Sequence, residues 1–405
     1  MHFDFIPYCK QIIDNDDLAA VERALKGNFL TNGPEVQAFE KELATYVNAT
    51  HAVSCSSGTA ALHLICLALG LKPGDQVIVP TVSFVATANA ARYCGTDVIF
   101  ADVDPASGNV TPETISSAID RAHRDKLKAI FVVHIGGTPV DLKKIASLAT
   151  NLKVPLVEDA CHAIGTNYPC KNGQEGLIGD CSLSAMTAFS FHPTKTMTTG
   201  EGGAVTTSNP EFAKKLSLLR NHGLVREPAD WKDPTLGFDE QSDQANPWVY
   251  ELQNLGFNYR MSDLNAALGR SQLSKLPKFA SQRKMLAERY NARFSEMPEC
   301  AQLTTGSENK SVVRHLMIGL FNFDALGLSR KEMMARLREF GIGTQVHYIP
   351  IHLQPYYSAT AQDHTYPGAT AYYHKCLSLP FHAGMSEQDV DRVCDAIEKI
   401  ITASG

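Results

Sequence analysis

Short apolar runs alternate with amphipathic stretches from about residue 50 to residue 205 of this chain. Gln76–Pro80, Asp97–Phe100, Lys128–Val133, Val154–Glu158 and Thr187–Phe191 read as strands, and Thr111–His123 and Asp141–Leu152 as helices between them. Such alternation predicts a mostly parallel sheet covered on both faces by helices. In sheets of this kind ligands bind outside the carboxyl ends of the strands. Asp159, Ser190 and Phe84 fall at or just past strand ends and are candidates for that rim. His134 follows Phe131-Val-Val and fits either the rim or a satisfied structural imidazole.

Beyond residue 205 the pattern changes. Leu224 to Tyr250 is polar and turn-rich and predicts a long mobile loop. Ser262 to Phe294 is helical in period, with Leu264, Leu268, Leu273 and Leu276 as its apolar positions. The rest mixes strand and helix signals and ends in a helix over Ser386–Ile401, which Ser386 can cap and whose stripe is Val390, Val393 and Ile397. A chain of 405 residues also exceeds what one core usually serves. The expectation is a large domain over residues 1–261 and a smaller α+β domain over residues 262–405.

Composition narrows the class. Apolar content of 44% and charged content of 20% are those of an ordinary globular protein. A net charge of -6 gives no general pull toward nucleic acid or anionic membrane, so neither is expected as a partner. The ten cysteines, Cys170 among them, form no CxxC pair, which speaks for free thiols in a reducing compartment. The start, Met-His-Phe-Asp-Phe-Ile-Pro, lacks a charged leader followed by an apolar core, and no apolar run is long enough to span a bilayer. The expected location is the cytoplasm.

The chemistry gathers around Phe189-Ser-Phe-His-Pro-Thr-Lys-Thr-Met-Thr-Thr-Gly-Glu-Gly-Gly203. Lys195, among small and hydroxylated residues, is either a surface lysine or the amine that holds an aldehyde cofactor as a Schiff base. Ser57, Gly58 and Thr59 open a helix, where unpaired N–H groups suit a phosphate; the same residues also make an ordinary cap. Asp159 closes a buried run and is preferred over Glu158 for pairing with a protonated ring nitrogen, because alternation turns only one of them to the ligand. His162 follows within reach of a ring hydroxyl. Phe84, one large aromatic among small residues, suits either a core position or the face of a flat heterocycle. One cofactor needs all four features together, namely pyridoxal 5'-phosphate.

The same residues carry a family resemblance. Gly33-Pro with Phe39-Glu, Ser57-Gly-Thr-Ala-Ala-Leu, Phe84-Val-Ala-Thr-Ala-Asn, Glu158-Asp-Ala-Cys-His, Phe189 to Lys195, Thr199-Gly-Glu-Gly-Gly and Gly256-Phe-Asn-Tyr-Arg-Met-Ser-Asp263 resemble the DegT/DnrJ/EryC1/StrS sugar aminotransferases, in order, from Pro7 to Pro380. The resemblance implies a type I aminotransferase fold, α/β with a mostly parallel seven-stranded sheet flanked by helices, and a homodimer with active sites at the subunit interface. It makes Lys195 the Schiff-base lysine, Asp159 the partner of the pyridine nitrogen, and His162 a neighbour of the ring hydroxyl. Phe84 stacks on the ring, and Ser57, Gly58, Thr59 and Ser190 hold the phosphate, joined by Asn258 from the neighbouring subunit. The implied reaction moves an amino group from L-glutamate, leaving 2-oxoglutarate, to the C4 ketone of a nucleotide-linked 4-keto-6-deoxy sugar. His192, His222, Arg260, His347, Tyr348 and His352 are the candidates for sugar contacts, and Arg220, Arg226, Arg260 and Lys26 for the diphosphate. His347 and His352 lack a third ligand, so no metal is expected.

Thr194, Thr196 and Cys161 depart from the family pattern and bear on which sugar is used. A different nucleotide sugar and a non-catalytic regulator that binds the cofactor remain as alternatives. A sugar dehydratase of related sequence carries histidine in place of Lys195, and a nicotinamide enzyme lacks its GxGxxG here.

Overall fold

Apolar runs without alternation need cover on both faces, and that need sets the architecture. The structure is a computed structural model that describes residues 4–169, 175–233, 235, 237–239, 244–361 and 364–403. Cys170 and part of the stretch from Leu224 to Tyr250 lie outside the described residues.

The first strands are β1 (His51–Cys55), β2 (Gln76–Pro80), β3 (Asp97–Ala101), β4 (Leu127–Val133) and β5 (Leu156–Asp159). A short hairpin, β6 (Asn167–Pro169) and β7 (Glu175–Leu177), precedes β8 (Met186–Ser190) and β9 (Gly203–Thr207). A two-residue pair, β10 (Leu224–Val225) and β11 (Glu251–Leu252), closes the base of the polar loop. The chain ends with β12 (Ala301–Leu303), β13 (Met317–Phe321) and β14 (Cys376–Leu379), which form an antiparallel sheet.

The main sheet has seven strands in the order β1-β9-β8-β5-β4-β2-β3. Neighbours pair in parallel, except that β9 runs antiparallel to both β1 and β8. All five runs read as strands belong to this sheet. Its cover comes from α2 (Pro34–Val47), α3 (Gly58–Ala68), α4 (Ala86–Tyr93), α5 (Pro112–Arg121), α6 (Leu142–Leu152) and α7 (Pro210–Leu219), while α1 (Asn15–Lys26) packs on the long helix that follows them. Among these α3 is buried along almost its whole length, as its apolar sequence requires.

The long α8 (Asp263–Phe294) leads to α9 (Arg330–Glu339), α10 (Pro355–Ala361), α11 (Pro367–Lys375) and α12 (Glu387–Thr402). Ser386 caps α12 through the Asp389 N–H, and Val390, Val393 and Ile397 are buried, as the sequence led one to expect. Two apolar clusters result. The larger surrounds the seven-stranded sheet; the smaller joins the second half of α8 to β13, β14, α9 and α12. The expected boundary between residues 261 and 262 falls at the start of α8, whose Ala266, Leu273 and Leu276 still pack into the larger cluster. The N-terminal segment crosses to the smaller one: Ile6 exchanges backbone hydrogen bonds of 2.8 Å with Gly341 and Gly343.

At Gly203 the backbone of β9 meets the start of α3, and a Cβ there would lie 2.4 Å from the Ser57 carbonyl oxygen. Gly203→Ala is therefore expected to lower unfolding stability by about 1–3 kcal/mol. An unchanged denaturant midpoint would contradict that packing.

Candidate active site

A cleft of about 430 Å³ opens beyond the carboxyl ends of the parallel strands. Ser83 and Phe84 reach it from the end of β2, Val133 from β4, Asp159 from β5 and Ser190 from β8. The first turn of α3 contributes Ser57, Gly58 and Thr59. Lys195 lies on the turn between β8 and β9, and His347, Tyr348 and Tyr8 close the opposite wall.

The lysine turn is held by its own backbone. Lys195 N–H donates to the His192 carbonyl at 2.8 Å, and Phe191 exchanges with Gly202 and Thr199 at 2.9 and 3.0 Å. The Cys9 thiol donates to the Thr194 carbonyl at 2.7 Å, tying the N-terminal segment to this turn. Burial pulls the Lys195 amine below the ordinary lysine range, and neighbouring Cys161, Asp159 and Cys9 offset this only in part.

Facing it, the Ser57 hydroxyl caps α3 by accepting from Ala60 N–H at 3.1 Å. A Cβ at Gly58 would stand 2.7 Å from the Cβ of Ser190, so glycine is what lets the helix start against the end of β8. The Gly58 and Thr59 N–H groups belong to the first turn, which lacks helical acceptors and carries partial positive charge. Together with Ser57 and Ser190 they form a cradle for an anion.

Asp159 is buried and oriented. The Thr87 hydroxyl donates to Oδ2 at 2.7 Å and the Cys161 N–H to Oδ1 at 3.2 Å. Glu158 points the other way. It accepts from Thr187 at 2.9 Å and from Ser184, and pairs with His134 Nε2 at 3.0 Å. His134 Nδ1 accepts from Val140 N–H, so this imidazole is structural and not part of the cleft wall.

His162 Nδ1 accepts from Gly136 N–H at 3.4 Å, which leaves Nε2–H to donate to the Tyr348 hydroxyl at 3.1 Å. Burial, then the Lys195 charge, hold its pKa well below the ordinary histidine range. His315 packs behind it with ring centroids 4.5 Å apart and is depressed for the same first reason. His347 bonds Ser378 Oγ at 2.7 Å, and burial, then Lys195, lower it to about 3. Phe84 is 57% exposed, with its ring at the cleft and 6.2 Å from that of Tyr348.

The structure thus brings together Lys195, Ser57, Gly58, Thr59, Phe84, Asp159, His162, Ser190, His192, His347 and Tyr348. Other expected contacts lie elsewhere on the chain. Asn258 is exposed and bridges to Asn221. His222 is exposed, with a left-handed φ of 60°. Arg260 donates to Asn221 Oδ1 at 2.7 Å in a separate groove. His352 bonds the Thr81 hydroxyl, its ring 4.4 Å from that of Tyr366. Of the basic candidates, Arg220 pairs with Glu40, Arg226 lies over Tyr250, and Lys26 pairs with Glu22 at 2.6 Å. None of these three lines the cleft. Thr87 and His315, which support it, and Glu201, which lines it, escaped sequence reasoning. Thr87 stood in the small-residue run after β2 and Glu201 in the glycine turn, but His315 gave no signal.

An amine of lowered basicity, an oriented carboxylate and a helix N-terminus around one cleft define an α/β enzyme for a flat, anionic aldehyde cofactor. The chain belongs to the DegT/DnrJ/EryC1/StrS aminotransferase family, whose model matches residues 11–398. It is a sugar aminotransferase that depends on pyridoxal phosphate. The cradle at Gly58 and the Asp159 carboxylate fit that cofactor's phosphate and ring nitrogen. The spore coat polysaccharide biosynthesis protein SpsC of Bacillus subtilis (strain 168) is 36% identical over 400 residues, covering 98% of this chain and 97% of its own. Helicobacter pylori PseC, an aminotransferase involved in the biosynthesis of pseudoaminic acid, superposes with a TM-score of 0.86 at 26% identity, over 99% of this chain and 100% of its own. S. venezuelae DesV, solved in complex with a ketimine intermediate, gives 0.83 at 29% identity, over 98% and 99%. Among the described residues no helix is long and apolar enough to cross a membrane.

The buried histidines give a pH dependence with a definite sign. An unfolded histidine titrates near 6.5. His162, His315 and His347 titrate lower in the folded chain, so below about 6.5 the unfolded chain binds more protons and stability falls with pH, down to about 3 for His347. The denaturation midpoint is expected to be lower at about pH 5 than at about pH 7, and the difference to shrink in His347→Asn. A flat profile between those conditions would contradict the neutral cluster.

Proposed function

We propose that this enzyme transfers the amino group of L-glutamate to the C4 ketone of a nucleotide-linked 4-keto-6-deoxy sugar. The observation that carries the reading is the meeting of Lys195, Asp159 and the α3 N-terminus in one cleft. Bound pyridoxal phosphate supplies an aldehyde carbon that takes up amino groups and a ring that accepts electrons. Lys195 would hold that carbon through Nζ. Once free, the Lys195 Nζ would accept and return a proton at the reacting carbon. Its lowered basicity raises the neutral fraction that this role needs. Asp159, fixed by Thr87 and Cys161, would keep the ring nitrogen protonated. His162 would stand near the ring hydroxyl and Phe84 near the ring face, both from the cleft lining.

The working unit in this reading is a homodimer in the cytoplasm, in which Asn258 of each copy reaches the phosphate cradle of the other. The exposure of Asn258 and its absence from the lining of its own chain's cleft support that placement. Among the described residues Lys195 is the one lysine or arginine lining that cleft, so groups that neutralise a diphosphate would come from beyond this lining. The presence of two apolar clusters supports a division into a large and a small domain, with Ala266, Leu273, Ile318 and Tyr372 of the second stretch packing into the larger cluster. The likeness to PseC supports a UDP-linked sugar of the pseudaminic acid type, and the likeness to SpsC supports a role in building surface polysaccharide. The competing reading is the same chemistry on a GDP- or dTDP-linked sugar, or at C3.

Lys195→Ala is expected to lose the visible absorbance of the lysine-bound cofactor and to lower turnover by roughly 10²–10⁴-fold or more. Normal turnover in that variant would refute the mechanism. Amino-loaded enzyme offered UDP-, GDP- and dTDP-linked keto sugars should react fastest with the UDP-linked 4-keto-6-deoxy sugar; a faster GDP- or dTDP-linked partner would replace the substrate assignment.

A further inference from the structure

His63 is a buried imidazole in the middle of α3, a helix that is otherwise apolar after its first turn. An apolar side chain there would need no hydrogen-bond partner, whereas a buried polar ring does. That partner is the Tyr259 hydroxyl, 3.1 Å from Nδ1. The histidine does not line the cleft.

What it holds is the segment that presents Asn258. Ser56 N–H donates to the Tyr259 carbonyl at 2.8 Å, so the entrance to α3 grips Tyr259 from the backbone as well. Phe257 stacks on Tyr259 with centroids 5.0 Å apart and meets the edge of His63 at 4.9 Å. On the other side Tyr259 N–H donates to the Arg220 carbonyl at 3.0 Å, and Asn258 bridges to Asn221. Alternation along this extended stretch turns Phe257 and Tyr259 toward α3 and leaves Asn258 outward and exposed.

We propose that His63 and Tyr259 are positioning residues for Asn258, setting how it reaches the cofactor phosphate of a second copy. The inference rests on the reading of Asn258 given under Proposed function. Its structural content is that one helix does two things: its first turn forms the cradle of this chain, and its middle fixes the side chain that serves the other chain's cradle.

The test is a pyridoxal phosphate titration of full-length enzyme stripped of its cofactor, for wild type, Tyr259→Phe, Asn258→Ala and the double variant. Tyr259→Phe keeps the ring and removes only the hydroxyl. It is expected to weaken apparent cofactor affinity roughly 3- to 10-fold while leaving the thermal midpoint of the cofactor-free protein unchanged. In the Asn258→Ala background the same substitution should add nothing, because its effect passes through Asn258. If Asn258→Ala weakens binding but Tyr259→Phe has no effect, or the two losses are additive, the positioning role is overturned and the reading of Asn258 stands. If Asn258→Ala alone leaves affinity unchanged, that reading fails and the positioning role falls with it.

Discussion

The close approach of two backbones governs this molecule. Gly203 at the start of β9 touches the Ser57 carbonyl, and Gly58 touches Ser190 at the end of β8. Two glycines therefore seat the first turn of a buried helix against the ends of two strands. Because β8 is also the neighbour of β5, that seat fixes the distance from the α3 N-terminus to Asp159. The helix cannot slide, being buried along its length, so an anion site and a carboxylate are held in rigid register before any ligand arrives.

The charges follow the same economy. The imidazoles of His162, His315 and His347 stay neutral because they are buried beside a lysine. Lys195 in turn loses basicity because water is scarce around it. Asp159 is kept as an acceptor by a hydroxyl and an amide that both donate to it. Burial is the leading cause of the shift for the lysine and the three imidazoles.

Much of this was legible in the residue order, and for identifiable reasons. The buried strands are apolar without interruption, so β2 to β5 and β8 stood out, and alternation along β5 separated Asp159 from Glu158. The α3 N-terminus and Lys195 lie in local motifs whose chemistry needs only neighbours in sequence. Contacts made across the chain were harder. His315 reaches His162 across more than a hundred residues, and nothing in Arg314-His315-Leu316 announces it. The sign of a side chain also says little about its place: Arg220 carried the right charge for a diphosphate but is spent on Glu40 and the Ser54 carbonyl. Asn258, His222 and Arg260 gather around Asn221 and do not line the cleft, and nothing in their local sequence separates such a strip from a cleft wall.

The 32-residue α8 has a mechanical consequence. At 1.5 Å per residue it is a rod of about 48 Å. Its first half is built into one apolar cluster and its second into the other, so neither cluster can swing on a loose tether. Pro277, near the handover, leaves the Leu273 carbonyl without its usual backbone donor. The helix is therefore least tied by its own backbone hydrogen bonds in the turn that joins its two halves.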